Sequence, residues 1–155
     1  MNEDSAVLAR LRQALLALLA VGLIGTALDL TLLTHYEDPL QLTPFGIIAL
    51  SLVAVVWHLL SGSEFSLNLL RVSMTIAIAG AAVGMTLHYQ GSMEFQLESD
   101  RTLSGFDLIL KVLRSKAPPT MAPMNLGLLG IVGLLSTYRE GTQFASKPNE
   151  LPRGD

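Results

Sequence analysis

Two segments put a His-Tyr pair at the end of an apolar run: THYEDPLQLTPF at residues 34–45 and LHYQGSMEFQLE at residues 87–98. His35 and His88 are the imidazoles that chemistry could use. Asp29 lies inside the first apolar run, at a depth of ~7 Å counting 1.5 Å per residue. Asn125 is expected at a similar depth in the fourth span, and Thr86 lies two residues before His88 of the second pair. A carboxylate within lipid is costly, ~2.5–3.5 kcal/mol at the centre of a span. Asp29 is therefore expected to turn inward and join Asn125, Thr86 and His88 in one polar cluster near the outer face. Such a cluster could hold a proton, a cation or a small ligand.

A metal would draw on His35 and His88 with Glu37, Asp38 or Glu94, a donor set that suits zinc or a similar ion. No known metal spacing is present. The plainer reading is preferred: the polar groups join helices, and the His-Tyr pairs mark the outer boundary as interfacial aromatic residues do. His58 follows Trp57 at the opposite end of a span, so it has no facing histidine at matched depth for haem. It is expected to be an interfacial or hydrogen-bonded helix residue.

The elements that position these groups follow from hydropathy. Half of the 155 residues are hydrophobic and only 15% are charged, against ~25% charged in an ordinary soluble domain. Mean hydropathy is +0.49. The apolar runs are greasy all round rather than striped, as in helices that face lipid. There is no cysteine, which excludes disulfide, iron–sulfur and zinc-thiolate chemistry. A net charge of −3 offers no basic field for nucleic acid.

With about 20 apolar residues needed per crossing, four transmembrane helices are expected in two tandem hairpins. They fall at about 8–34, 44–61, 66–89 and 120–139, with a tail over 140–155. The first is read as a retained span and not a cleaved signal. With both termini on one side, that side holds Arg10, Arg12, Arg71, Arg139, Lys147 and Arg153, against Arg101, Lys111, Arg114 and Lys116 opposite. The excess places the termini in the cytoplasm and the His-Tyr pairs outside. Arg71 is expected to snorkel to the inner headgroups.

The long outer loop, 90–119, is expected to carry two features. MEFQLE alternates apolar and polar residues, a strand signal, and PLQL in the first loop offers a partner for a small β element. Residues 104–115 read as a short amphipathic surface helix. Its apolar face is Leu103, Phe106, Ile109, Leu110 and Leu113, and Ser104 with Asp107 is its capping box. In the spans, Gly80 with Gly84, and Gly127, Gly130 and Gly133, form small-residue faces for close helix packing.

The segments HYEDPLQLTPF, WHLL, HYQGSMEFQLE and APPTMAPMNLGLLGIVGLLSTYRE resemble a group of small bacterial four-span inner-membrane proteins, over about Leu15 to Glu140. Ser92, Gln96 and Met124 depart from that group's pattern, which carries Asn, Glu and Gly there. The resemblance implies a fold and a location and brings no activity.

Function is therefore expected to be that of a non-enzymatic accessory or assembly partner, with lipid, a second copy or another membrane protein as its neighbours. No cofactor is expected. The alternative is a binder or carrier of an ion or small ligand, whether metal, haem or quinone, at the outer cluster.

Overall fold

The computed structural model describes residues 3–115 and 121–140, and among them it is helical without a strand. The elements are α1 (Glu3–Leu32), a 3₁₀ turn (Pro39–Leu42), α2 (Thr43–Ser61), α3 (Glu64–Ser99), α4 (Gly105–Leu113) and α5 (Met121–Ser136). Three stretches, Glu3–Leu32, Pro39–Ser61 and Glu64–Ser99, are long and apolar enough to cross a membrane. In each, 28% of the most apolar window is buried inside the protein. The rest of that apolar surface faces outward, which is costly in water and favourable in lipid.

The helix ends have local causes. α2 starts on Pro44 in its first turn, where a missing N–H costs nothing, and stops at Gly62 with φ of 53°. Ser63 then opens α3: its hydroxyl accepts from the Ser66 N–H at 3.2 Å, while Ser66 Oγ accepts from the Ser63 N–H at 3.1 Å. α1 ends in a left-handed cap. Thr34 has φ of 53°, its N–H reaches Thr31 O at 3.1 Å, and the His35 N–H reaches back to Leu30 O at 2.9 Å.

Each apolar helix turns a narrow stripe inward. In α1 the buried residues are Arg12, Leu16, Leu19, Leu23, Thr26 and Leu30, alternating steps of four and three, the seam of knobs-into-holes packing. α5 lies antiparallel in the groove between α1 and α3. Against α3 the facing pairs are Arg71 with Thr137, Ile78 with Gly130, Ala81 with Gly127 and Gly84 with Pro123. Against α1 they are Arg12 with Tyr138, Leu19 with Gly133, Gly22 with Leu129 and Thr26 with Asn125. Both series hold their register along the helix. The glycines explain the closeness: a Cβ on Gly130 would stand 2.8 Å from Met74 O and 2.7 Å from Ile78 Cγ1. Gly84, Gly127, Gly130 and Gly133 thus serve the α3–α5 and α1–α5 interfaces as expected, whereas Gly80 faces Ile47 of α2.

Two expectations for the outer loop are corrected. MEFQLE is not a strand; it is the last part of α3, which runs to Ser99 and not to Tyr89. PLQL is the 3₁₀ turn, capped by Asp38, whose Oδ1 accepts from the Leu40 N–H at 2.8 Å. Extending a formed helix fixes one residue per hydrogen bond gained, while a lone strand pair is marginal in water. Six alternating residues do not outweigh that difference.

At 36 residues α3 is about 54 Å long. Its last turns carry α4, which packs against α3. Ser104 takes the N-cap position of α4 without a side-chain cap bond, so the Ser104–Asp107 box does not form. The inward face of α4 is also different from the one expected. Val112 is fully buried and Leu108 is half-buried, while Phe106, Ile109 and Leu113 stay exposed. The tail residues 141–155 and the start of the fourth expected span, residue 120, lie outside the described residues.

Candidate functional site

The expected outer cluster is divided in two by the fold. His35, oriented by the cap that ends α1, stacks on His88 of α3 with ring centroids 5.8 Å apart and planes 29° apart. The pairing of the two His-Tyr segments across the bundle mouth is thus a tertiary contact. Beside it lies a groove of about 550 Å³ whose lining includes Leu87, His88, Gly91, Phe95, Gln96 and Ser115.

Asn125 belongs elsewhere. Its Nδ2 donates to Thr26 Oγ1 at 2.8 Å, and the Thr26 hydroxyl in turn donates to Gly22 O at 2.8 Å. Asp29, expected as the partner of Asn125, has its side chain exposed. The reason is angular: Asp29 sits between Thr26 and Leu30 in sequence, off the inward stripe they occupy. Thr86 is exposed too and donates to Ala82 O at 3.0 Å within its own helix. Among the described residues no group of three His, Asp or Glu side chains converges on a metal position. His35, His88, Glu37 and Glu94 therefore do not assemble into the wider donor set.

The denser polar site is at the other end. Arg12 is buried, and its guanidinium donates through Nε (3.1 Å) and Nη2 to Tyr138 O. Arg71 donates through Nη2 to Thr137 O at 3.1 Å and through Nε to Thr137 Oγ1 at 3.3 Å. Two cations from α1 and α3 therefore close on carbonyls just past the end of α5, where the helix dipole is negative. Arg71, whose sequence position suggests snorkelling to headgroups, instead directs its donors to Thr137, whose carbonyl also accepts from the Glu140 N–H at 3.2 Å.

His58 completes this end. It is buried, with Nδ1 3.2 Å from Ser66 Oγ and Nε2 3.3 Å from Glu140 Oε1. This fits the hydrogen-bonded role expected for it. Thus α1, α2, α3 and the residues following α5 are joined at one level.

Sequence reasoning missed the partners Thr26, Ser66, Thr137 and Glu140. Hydroxyl residues within apolar helices give little signal, since each can bond its own helix backbone. The available clue was depth: Arg12 and Arg71 lie about two to two and a half turns inside their helices from the end where α5 finishes.

No protein-family model, curated protein or solved structure matches the chain. The class is set by the fold alone: among the described residues, an all-helical bundle with three membrane-length apolar helices and a polar tie at one end.

Proposed function

We propose that the chain is a four-span protein of the bacterial inner membrane, with cytoplasmic termini, that acts as a non-enzymatic accessory or assembly partner and presents a helical cap on the outer side. One observation carries this reading: the charged, imidazole and amide side chains inside the bundle bond to other helices or their ends. Arg12, Arg71, His58 and Asn125 each direct hydrogen-bonding groups to a neighbouring helix or its end. Such groups are interhelical ties in lipid. Their use in this way favours a scaffold over a transport path.

α5 is the fourth crossing in this reading. At 16 residues it is about 24 Å long, short of a ~30 Å core. It is nevertheless flanked by α1 and α3 from the level of Thr26 to that of Arg12, and the carbonyls that follow it are held by Arg12 and Arg71. Asp29, three residues before the end of α1, then lies near the outer headgroups, where its exposed carboxylate meets water. The resemblance to small four-span bacterial proteins agrees with this arrangement.

The absence of cysteine makes the test direct. Single cysteines replacing Glu3, Glu37 and Asp107, labelled in intact cells with a membrane-impermeant maleimide, should react at 37 and 107 and not at 3. Labelling at 3, or recovery of the chain in the soluble fraction, overturns the proposal. Crosslinking from position 107 followed by affinity purification in mild detergent should retain a membrane-protein neighbour.

A second reading rests on the stacked His35–His88 pair and its groove: an ion or small ligand held at the outer face. Metal analysis and an absorbance spectrum of the purified protein decide it, and a blank at full protein recovery removes it.

A further inference from the structure

Both ring nitrogens of the buried His58 meet partners, and those partners fix where its protons lie. Ser66 Oγ stands 2.7 Å from Ser63 O. A carbonyl only accepts, so the one hydroxyl proton of Ser66 lies on that line. The same oxygen accepts from the Ser63 N–H at 3.1 Å. Ser66 has no second proton to offer His58 Nδ1, 3.2 Å away, so Nδ1 carries the hydrogen of that contact. The Ser66–His58–Glu140 series is therefore not a hydrolytic triad. A nucleophilic serine gives its proton to the imidazole, whereas Ser66 is fully buried and receives one.

A neutral imidazole has a single N–H, which leaves Nε2 as a bare lone pair. Nε2 stands 3.3 Å from Glu140 Oε1. A lone pair facing a carboxylate oxygen is repelled by it. The contact needs one proton more than a neutral His58 and an ionised Glu140 supply. Held on either atom, that proton turns repulsion into attraction.

We infer that His58 and Glu140 form a proton-binding site, whose proton ties α2 to the segment that follows α5. The Glu140 side chain is 20% exposed against 5% for His58, so the proton exchanges with solvent from the Glu140 side. The other charged groups of this end are engaged elsewhere or exposed. α2 carries no further titratable side chain. From α1, Arg12 is directed to Tyr138 O, while Glu3, Asp4 and Arg10 are exposed. From α3, Arg71 is directed to Thr137, while Glu64 is exposed. Beside Glu140, Tyr138 and Arg139 are exposed.

The tie is present with the proton bound and is lost as pH rises and the proton leaves. The inference adds a pH-responsive element to the accessory role proposed above. In the proposed orientation the site reads cytoplasmic pH. A reversed labelling pattern would change the compartment that is read and leave the proton count as it is.

The test uses the full chain in mild detergent with ¹⁵N-labelled histidine, titrated from acid to alkaline pH. His58→Gln identifies the His58 signals among those of His35 and His88. Wild-type Nδ1 should be protonated throughout, and the Nε2 signal should move as the shared proton leaves. Over the same step, the protection of amides at 137–140, taken relative to intrinsic exchange, should fall roughly 10-fold, as for loss of a charge-assisted bond. Glu140→Gln supplies an amide N–H to the Nε2 lone pair and needs no added proton. In that variant His58 should stay neutral with Nδ1–H, and the protection should stay level across the titration. Circular dichroism confirms that the variant keeps its helix content. A His58 with Nδ1 bare overturns the inference. So does a protection profile that is flat in wild type, or one that falls equally in Glu140→Gln.

Discussion

Asn125 donates to the hydroxyl of Thr26 at 2.8 Å, joining α5 to α1 toward the end of the bundle opposite Arg12. The bond selects Thr26 over Asp29, which lies one turn further along α1 with its side chain exposed. Removing it should cost what interhelical bonds in lipid cost, about 0.6–1.7 kcal/mol. A double-mutant cycle of Thr26→Val and Asn125→Leu, read by reversible unfolding in mixed micelles, should show coupling in that range. Asp29→Asn should change stability by less than ~0.5 kcal/mol, as exposed substitutions do. Coupling between Asn125 and Asp29, with none to Thr26, contradicts the geometry.

Gly130 tests the packing of α5. A methyl group there meets the backbone oxygen of Met74, which no side-chain rotation relieves. Gly130→Ala should therefore destabilise by about 1–3 kcal/mol, the usual cost of overpacking. Gly25 in α1 has nothing within 4 Å of a built Cβ. Gly25→Ala should be neutral or stabilising by up to ~1 kcal/mol through helix propensity. Thermal unfolding of the two variants side by side separates close packing from general intolerance to alanine.

Arg12 and Arg71 hold the carbonyls after α5. Replacing either with Met keeps the length of the apolar stem and removes the donors. Each change should cost about 1.5–3 kcal/mol, as for hydrogen bonds to charged groups. Hydrogen exchange should locate the loss at residues 134–140. Uniform loss over all helices would mean that the arginines act through general folding.

Thr34 holds a left-handed conformation, unfavourable for a β-branched residue, with φ of 53°. Thr34→Gly should stabilise the end of α1 by up to ~1 kcal/mol, part of the relief being offset by the greater freedom of glycine in the unfolded chain. The His35–His88 stack should persist, and crosslinking between cysteines at 35 and 88 provides the check. Loss of the crosslink in the glycine variant would show that Thr34 places His35 by more than its backbone.

Asp100 caps the outer end of α3. Its carboxyl is held below its ordinary value of 3.8 by bonds from the Thr102 hydroxyl (2.6 Å) and N–H (3.0 Å), with a further contribution from Lys111. A depressed carboxylate stabilises the fold above its unfolded value and loses that effect as pH falls through the folded one. The protection of amides at 100–103, taken relative to their intrinsic exchange at each pH, should therefore fall as pH drops below about 3.8. Asp100→Ala should exchange fast at every pH. A wild-type profile flat across that window would refute the role of the carboxylate.

Much of the fold is legible in residue types. Runs such as IIALSLVAVVW declare membrane-length helices because transfer into lipid sums over side chains whatever they touch. Pro44, Gly62 and Ser63 mark their own boundaries through local backbone chemistry. Glycine stripes mark α3 and α5 as helices that pack closely, without naming the neighbour. The alternation in MEFQLE misleads, because a helix already formed below it sets the state of those six residues.

What only the tertiary structure decided is who faces whom. Helices apolar on every side give no stripe from which to read an inward face, so Thr26 and Asp29 look equally eligible to meet Asn125. The choice depends on the rotation and register of α1 against α5, which close packing at glycines sets at distances of a few ångströms. The sequence alone identifies the bilayer as solvent and the polar residues as exceptions within it. The fold then pairs Arg12 and Arg71 with the end of α5, His58 with Glu140 and His35 with His88, because hydrogen bonds and ring stacking require positions in space that a linear pattern does not contain.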